Sequence, residues 1–494
     1  MIFMHKRRFS SILLVIILVS LLSGCFQSDP AGFPPVSETT STPGTDRANL
    51  PTPLPTRPVY GPGELVDYIC QTGDNLPALA SRFNTTEQEI RSANPVLPKD
   101  VTTLPPGLPL KIPIYYRAFW GTSYQILPDG LFINGPSQRN FDPVEYVNSM
   151  PGWFKDYRVW IGRRWQQGGE VINYLTENYS LSPQLLLAMI EYQTGALTQP
   201  TRPENEVSPM GLNDRAYSGL TEEMLYIVNF LNNGYYGWRI GNLISFEHID
   251  GRLEFPDPWQ NAATVALQRY YAKVMDTDAY QLAVSGEGLA KTYAGLFGDP
   301  WAADYNHIPG SLVQPEMSLP FAPGYFWTYT GGPHTAWGVG EPLAAIDFAP
   351  PSAEGECSPA DQWSTAIADG VIARSGNAIV VLDLDGDMDE RTGWTVFYLH
   401  LANSSIPPAG TILKKGDPIG LPSCEGGRAT GTHVHLARKY NGEWIPADGV
   451  LAFNLEGWIA FNGNDEYQGE LRRFSQVVIA NQNSEFSSMI QAGE

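Results

Sequence analysis

Of the seven histidines in the chain, four fall in its last third: His334, His400, His433 and His435. His5 sits near the N-terminus, and His248 and His307 stand alone. Imidazoles gathered in this way suit metal ligation and proton transfer near neutral pH. His433 and His435 are two residues apart, so on a strand both project into one groove. His400 closes an alternating run over 394–400 and can meet them there. Upstream, Gly331-Gly-Pro-His334 is followed by Leu343-Ala-Ala-Ile-Asp347, which brings a carboxylate to the same stretch. Asp383, Asp385, Asp387 and Asp389 imitate a calcium loop, but the sixth position, glycine in an EF-hand, is Met388. Asp385-Gly386 instead favours a hairpin tip.

The elements that must hold these residues are strands. Alternation over 365–372, 377–383 and 394–400 predicts an antiparallel β unit. The segments resemble the lysostaphin-type peptidoglycan metallopeptidases: Gly-Pro-His334 and Asp347, Tyr398-Leu-His400-Leu, the turn glycines Gly416 and Gly420, and Thr430-Gly-Thr-His433-Val-His435. The resemblance implies Zn2+ held by His334, Asp347 and His435, with His400 and His433 as catalytic groups beside the reacting carbonyl. The thirteen-residue step from His334 to Asp347 is similar to that of the long-spaced members. Two imidazoles and a carboxylate leave a tetrahedral zinc ion an open position for water, whose pKa falls towards about 7. Attack on a peptide bond then needs a stabilised oxyanion and a proton for the departing amine, roles that suit His400 and His433.

Before this unit, residues 118–310 change to amphipathic helices with aromatic cores. Ser182 as N-cap, Pro183 at the first helical position and Gly195 at the end delimit one whose centre, Leu185 to Ile190, is apolar nearly all round. Further helices are expected over 221–232 and 261–275. The 182–195 stretch resembles the catalytic helix of lysozyme-like lytic transglycosylases, which ends in Glu-Ser-Gly; here the acid's position is Gln193. An amide cannot protonate a glycosidic oxygen, and Glu191 lies about 200° round the helix from it. The expectation is a lysozyme-like domain that does not cut, either a glycan cleft or a spacer.

Residues 63–115 read as strand, helix, helix, strand. Tyr68, Gly73-Asp74, Leu79-Ala80, Phe83, Ile90, Asn94-Pro95, Gly107 and Ile112-Pro113 resemble a LysM domain in order and composition, which implies a βααβ module that binds N-acetylglucosamine-containing glycan. At the N-terminus, a basic start (His5 to Arg8) and a short apolar run form an expected signal segment over 1–24. Leu22-Ser-Gly-Cys25 looks like a bacterial lipobox, implying acylation of Cys25. Nine prolines between Phe26 and Pro62 predict an extended stalk over 25–62, with a reach on the order of 100 Å. Of the other cysteines, Cys357 and Cys424 share the C-terminal unit, 311–494, and are the expected disulfide of an exported protein, while Cys70 reads as a buried free thiol.

The 494 residues carry a net charge of −21, which becomes −24 without the three cations Lys6, Arg7 and Arg8. Such a balance excludes a nucleic-acid binder, and 43% hydrophobic residues exclude global disorder. The expectation is a multidomain α+β protein, exported and lipid-anchored to a bacterial membrane, in which an antiparallel β-sheet zinc metallopeptidase hydrolyses the peptide part of peptidoglycan. The competing reading is a non-enzymatic wall binder or an activator of other hydrolases.

Overall fold

Val66 and Tyr68 are buried while their neighbours in Glu64–Ile69 are exposed, the period-two pattern of a strand with one face on a core. In the computed structural model, which describes residues 54–351, 357–483 and 485–493, this strand, β1, pairs antiparallel with β2 (Pro109–Ile114) across helices α1 (Leu76–Arg82) and α2 (Glu87–Ala93). Asn75 caps α1 by accepting the Ala78 N–H, and Thr86 and Glu89 form a reciprocal capping box on α2. Cys70, Phe83 and Ile90 fill the small core, where Cys70 is a free thiol. The expected signal segment, Cys25 and the proline-rich stretch up to residue 53 lie outside the described residues.

The next region runs through α3 (Pro143–Ser149), a hairpin of β3 (Arg158–Ile161) and β4 (Arg164–Gln167), α4 (Gly168–Tyr179), α5 (Pro183–Thr194), α6 (Leu220–Arg239), a small hairpin of β5 (Phe246–Glu247) and β6 (Leu253–Glu254), α7 (Ala262–Val274), α8 (Thr277–Ala283) and α9 (Leu289–Phe297). The Ser182 hydroxyl accepts the Leu185 N–H at the start of α5, and Gly195, at φ 63°, ends it. Helix α6 continues past the expected 221–232 because Tyr235, Tyr236 and Trp238 prolong its buried face.

The C-terminal region is built on β7 (Phe326–His334), β8 (Ala345–Ala349), β9 (Ser364–Thr365), β10 (Gly370–Gly376), β11 (Ile379–Asp383), β12 (Trp394–Leu399), β13 (Ile412–Leu413), β14 (Pro418–Gly420), β15 (Val434–Tyr440) and β16 (Glu443–Trp444). A second small sheet contains β17 (Asn454–Leu455), β18 (Trp458–Asn462), β19 (Gly469–Arg473) and β20 (Gln476–Ile479), and β21 (Met489–Gln491) returns to the first. The main sheet is antiparallel in the order β13-β10-β11-β12-β15-β8-β7-β21, with β16 on β15. The strand expected over 365–372 is two strands in two sheets. Between them Ala366 donates to the Asp417 carbonyl and Ile367 to the Tyr398 hydroxyl, so this stretch bonds outside the main ladder.

Strands β11, β12 and β15 are buried almost throughout, as expected where both faces of a sheet are covered. Val381, Phe397, Ala437 and Trp444 join the core of the helices, while Val380, Val396, Tyr398 and Leu436 belong to a second core on the opposite face. A buried ionic cluster ties all three regions. Arg239 at the end of α6 donates to Glu443 of β16 at 2.8 Å, approaches Asp129 at 3.6 Å and donates to the Thr72 carbonyl of the N-terminal module. Tyr235 and His307 also reach Glu443, at 2.8 and 2.5 Å.

Burial opposes ionisation of Glu443, yet Arg239 and His307 outweigh it and bring the carboxyl down to about 2. Glu443→Gln removes the charge while keeping the shape and leaves Arg239 short of a partner, so a loss of about 3–5 kcal/mol is expected in denaturant unfolding at neutral pH. The folded pKa lies below the unfolded value of about 4.3, so the stabilisation is complete above about pH 5 and is lost as the pH falls towards 2. The stability gap between the two proteins should close across that window, and a gap that persists to pH 2 would refute the assignment.

Candidate metal centre

Sheet register brings the donors together. His435 of β15 lies opposite Asp347 of β8, and β7 sets Gly331 opposite Asp347 before ending at His334. Only glycine fits at 331, because a Cβ there would stand 2.6 Å from Asp347 Oδ2. His334 Nε2, His435 Nδ1 and Asp347 Oδ1 form a triangle with edges of 3.0, 3.3 and 3.3 Å. Tetrahedral zinc with bonds of about 2.0–2.1 Å spaces its ligand atoms by about 3.3 Å, so the triangle has the size of one face of that polyhedron. Asp347 Oδ1 is moreover buried without a hydrogen-bond donor, a costly state for a carboxylate oxygen that a cation would relieve. The residues therefore fit the metal.

Each imidazole is aimed by a backbone carbonyl. His334 donates from Nδ1 to Gly332 at 2.8 Å and His435 from Nε2 to Ala336 at 3.1 Å, which leaves opposite ring nitrogens of the two residues for the metal. His433 Nδ1 is tied to the Gly431 carbonyl at 2.7 Å and His400 Nδ1 to the Glu425 carbonyl at 2.8 Å. The rings of His400 and His433 lie 4.6 Å apart, and His433 Nε2 is 3.8 Å from Asp347 Oδ2. His400 sits one residue beyond β12 at φ 68°, a left-handed turn that carries its ring towards the others.

Burial pushes the Asp347 carboxyl up, but the neighbouring His334 and His433 hold it well below the usual range. Burial lowers His435, and burial with the adjacent His433 and His435 takes His400 down to about 3. Both are thus neutral imidazoles at neutral pH, the form that ligates metal or accepts a proton.

Cys357 and Cys424 are joined by a disulfide with Cα atoms 5.3 Å apart. It anchors the 423–427 turn that carries Glu425. Asp383, Asp385 and Asp387 also bring oxygens within 4.8 Å of one another. There Asp383 accepts the Asp385 and Met388 N–H groups, as in a side-chain-closed turn, and Arg139 spans Asp387 and Asp389. Gln193 is committed inside its own domain: its Nε2 donates to the Met210 carbonyl at 2.7 Å and its Oε1 accepts from Tyr270 at 2.9 Å. Glu191 accepts the Leu197 and Thr198 N–H groups beyond the helix end.

Two supports carry no sequence motif. Tyr467, between β18 and β19, stacks on His334 with centroids 4.1 Å apart. The loop that follows His334 is gripped by α6: Asn229 both accepts from the Val339 N–H and donates to its carbonyl, at 2.9 and 3.1 Å, and Asn233 accepts from the Glu341 N–H at 2.9 Å. Ala336, whose carbonyl aims His435, lies in the same loop. Only the i, i+4 spacing of the two asparagines hints at a shared face.

Comparison with known proteins matches two stretches of the chain to families. Residues 68–113 match the LysM domain family, and residues 125–311 match the family described as LasA, N-terminal domain. The chain is 25% identical to Protease LasA of Pseudomonas aeruginosa over 366 residues, 70% of this chain and 81% of that protein. It is 26% identical to the beta-lytic metalloendopeptidase of Lysobacter enzymogenes over 174 residues, 34% of this chain and 88% of that protein. Among solved structures, the M23 metalloprotease pseudoalterin is 24% identical, with 34% of this chain and 96% of that chain covered and a TM-score of 0.29.

If the asparagine grip positions His435 through Ala336, Asn229→Ala with Asn233→Ala should weaken zinc retention by roughly tenfold in chelator competition, the scale of outer ligand supports, while far-UV circular dichroism stays the same. Equal zinc affinity in the variant and the unmodified chain would show that the loop holds itself.

Proposed function

We propose that this lysostaphin-type zinc metalloendopeptidase, with its LysM domain and LasA N-terminal domain, hydrolyses peptide bonds in peptidoglycan and reaches the wall through the LysM domain. The observation that carries the reading is the His334–Asp347–His435 triangle with two further imidazoles beside it, in one chain with a LysM domain. Relatives named as a protease and a metalloendopeptidase support the same class of reaction.

His334 Nε2, His435 Nδ1 and Asp347 Oδ1 are the atoms that would hold the ion. Zinc in such a site supplies Lewis acidity, activating water and polarising the scissile carbonyl. The chain supplies the rest. With Nδ1 of both His400 and His433 fixed on carbonyls, their Nε2 atoms are left to take a proton from the nucleophile, to donate to the developing oxyanion and to return a proton to the leaving amine. The disulfide and the Ser423 bonds to the His400 carbonyl hold the His400 turn against the segment that leads through His433 into β15.

The middle domain is assigned a scaffolding role. Its lysozyme-like character rests on α5 alone, and Gln193 there supports the Met210 loop. Export and lipidation at Cys25 complete the reading, supported by the apolar run, the 22–25 motif and the proline-rich stretch. In this scheme the enzyme works extracytoplasmically, tethered to the membrane and facing the wall.

Zinc content and release of peptide fragments from purified sacculi test the assignment together. His435→Ala or Asp347→Asn should lose both. His400→Ala and His433→Ala should keep most of the zinc but lose about a hundredfold or more in turnover. Equal zinc loss in all four would overturn the division of roles, and a zinc-loaded chain that releases nothing would favour a wall binder or hydrolase activator.

A further inference from the structure

The β3–β4 hairpin presents a face that the fold does not use. Val159 and Ile161 pack against the helical core, so by alternation Arg158 and Trp160 point outward. Trp160 is paired across the hairpin with Trp165, the ring centroids are 5.9 Å apart and edge-to-face, and the residues are 59% and 67% exposed. Arg158 on this face and Arg163 at the tip are exposed too, and among the described residues no side-chain hydrogen bond or ion pair engages them; Arg164, also exposed, is paired with Ile161 and so belongs to the other face. In a chain of net charge −21, two unpaired arginines beside two bare tryptophans run against the overall charge. Exposed rings of this size usually cover something.

We infer that this face is an accessory binding surface for the peptidoglycan polymer itself, a reading that rests on the proposed function. The polymer repeats two chemistries: pyranose rings, whose flat faces stack on indoles, and stem-peptide carboxylates, which match the planar fork of arginine. An anionic strand is repelled by most of an acidic protein and settles where cations are concentrated. The shape selects a strand over a bilayer. The leading tip of the hairpin is Gly162-Arg163, polar and charged, whereas the tryptophans lie along its flank, so the surface suits a rod laid across it rather than insertion. The hairpin runs directly into α4, and residues at the far end of that helix meet the peptidase region: Asn178 accepts from Arg374 at 3.4 Å and Ser180 donates to the Gly442 carbonyl at 2.5 Å. Twelve residues of helix place the hairpin about 18 Å from that contact, so a strand held there stays beside the catalytic region.

The test is co-sedimentation of the full chain with purified, teichoic-acid-free sacculi across a salt series, with zinc removed so that binding is read without turnover. Arg158→Ser with Arg163→Ser should weaken binding about tenfold at low salt, with the difference shrinking as salt is added. Trp160→Ala with Trp165→Ala should weaken it about tenfold at all salt concentrations. Unchanged unfolding midpoints control for folding. Undiminished binding by both variants would overturn the inference, as would hairpin-dependent binding to anionic phospholipid vesicles with no such dependence on sacculi. A metal-loaded chain that failed to cut sacculi would refute the proposed function, while the binding comparison would still decide this surface.

Discussion

Side-chain alternation along β15 constrains everything else in the catalytic region. His435 and Ala437, with His433 one residue before the strand, face one side of the sheet, and Val434 and Leu436 the other. The side with His435 is the one on which the helices rest, through Ala437, Phe397 and Trp444, and Leu399 and Phe397 are the cross-strand partners of His435 and Ala437. Metal donors and the domain contact therefore share a surface. The loop after His334 joins them: Ala336 and Ala344 belong to the helical core, while the Ala336 carbonyl aims a ligand imidazole. A one-residue slip of β15 would turn the donors into the opposite core and the apolar residues into the site, so hydrophobic burial on both faces also protects the site's register.

Charge deepens this dependence. Buried ions gather where regions meet: Arg239 with Glu443, and Lys439 with Glu390 and Arg374 beside Glu177 of α4. A buried pair returns little net stability over an apolar contact, but a missing partner is costly. Such pairs tolerate one docking geometry and penalise the others. The net charge of −21 over the whole chain acts mainly on solubility and on which polymers can approach.

Different parts of this architecture were legible in the sequence for different reasons. The N-terminal module could be read because its core, turn and capping residues are local. The four histidines could be read because imidazoles are scarce and two of them are spaced for one strand face. Asp347 needed the resemblance, since nothing in its own surroundings separates it from other acids, and only β8–β15 pairing explains its place. The break within 365–372 was hidden because the segment alternates throughout; what divides it is the Tyr398 hydroxyl and Asp417, distant in sequence. Helix α5 was legible as a helix. Gln193 was harder to interpret, because its partners Met210 and Tyr270 lie on other elements.

The supports of the site escape sequence reading for a further physical reason. All four imidazoles are oriented by main-chain carbonyls, of Gly332, Ala336, Gly431 and Glu425, and the loop holding Ala336 is gripped by side chains that read the main chain of Val339 and Glu341. A carbonyl acceptor adds no net charge, so it aims a ring without stabilising its protonated form as strongly as a carboxylate would. It leaves Asp347 as the anion among the donors. A partner that belongs to the backbone can be supplied by almost any residue type, so the positions that aim the chemistry need show no characteristic side chain. Donors must be particular residues, whereas their supports need only a particular path of the chain, and that path is set by the helices packed on the same face of the sheet.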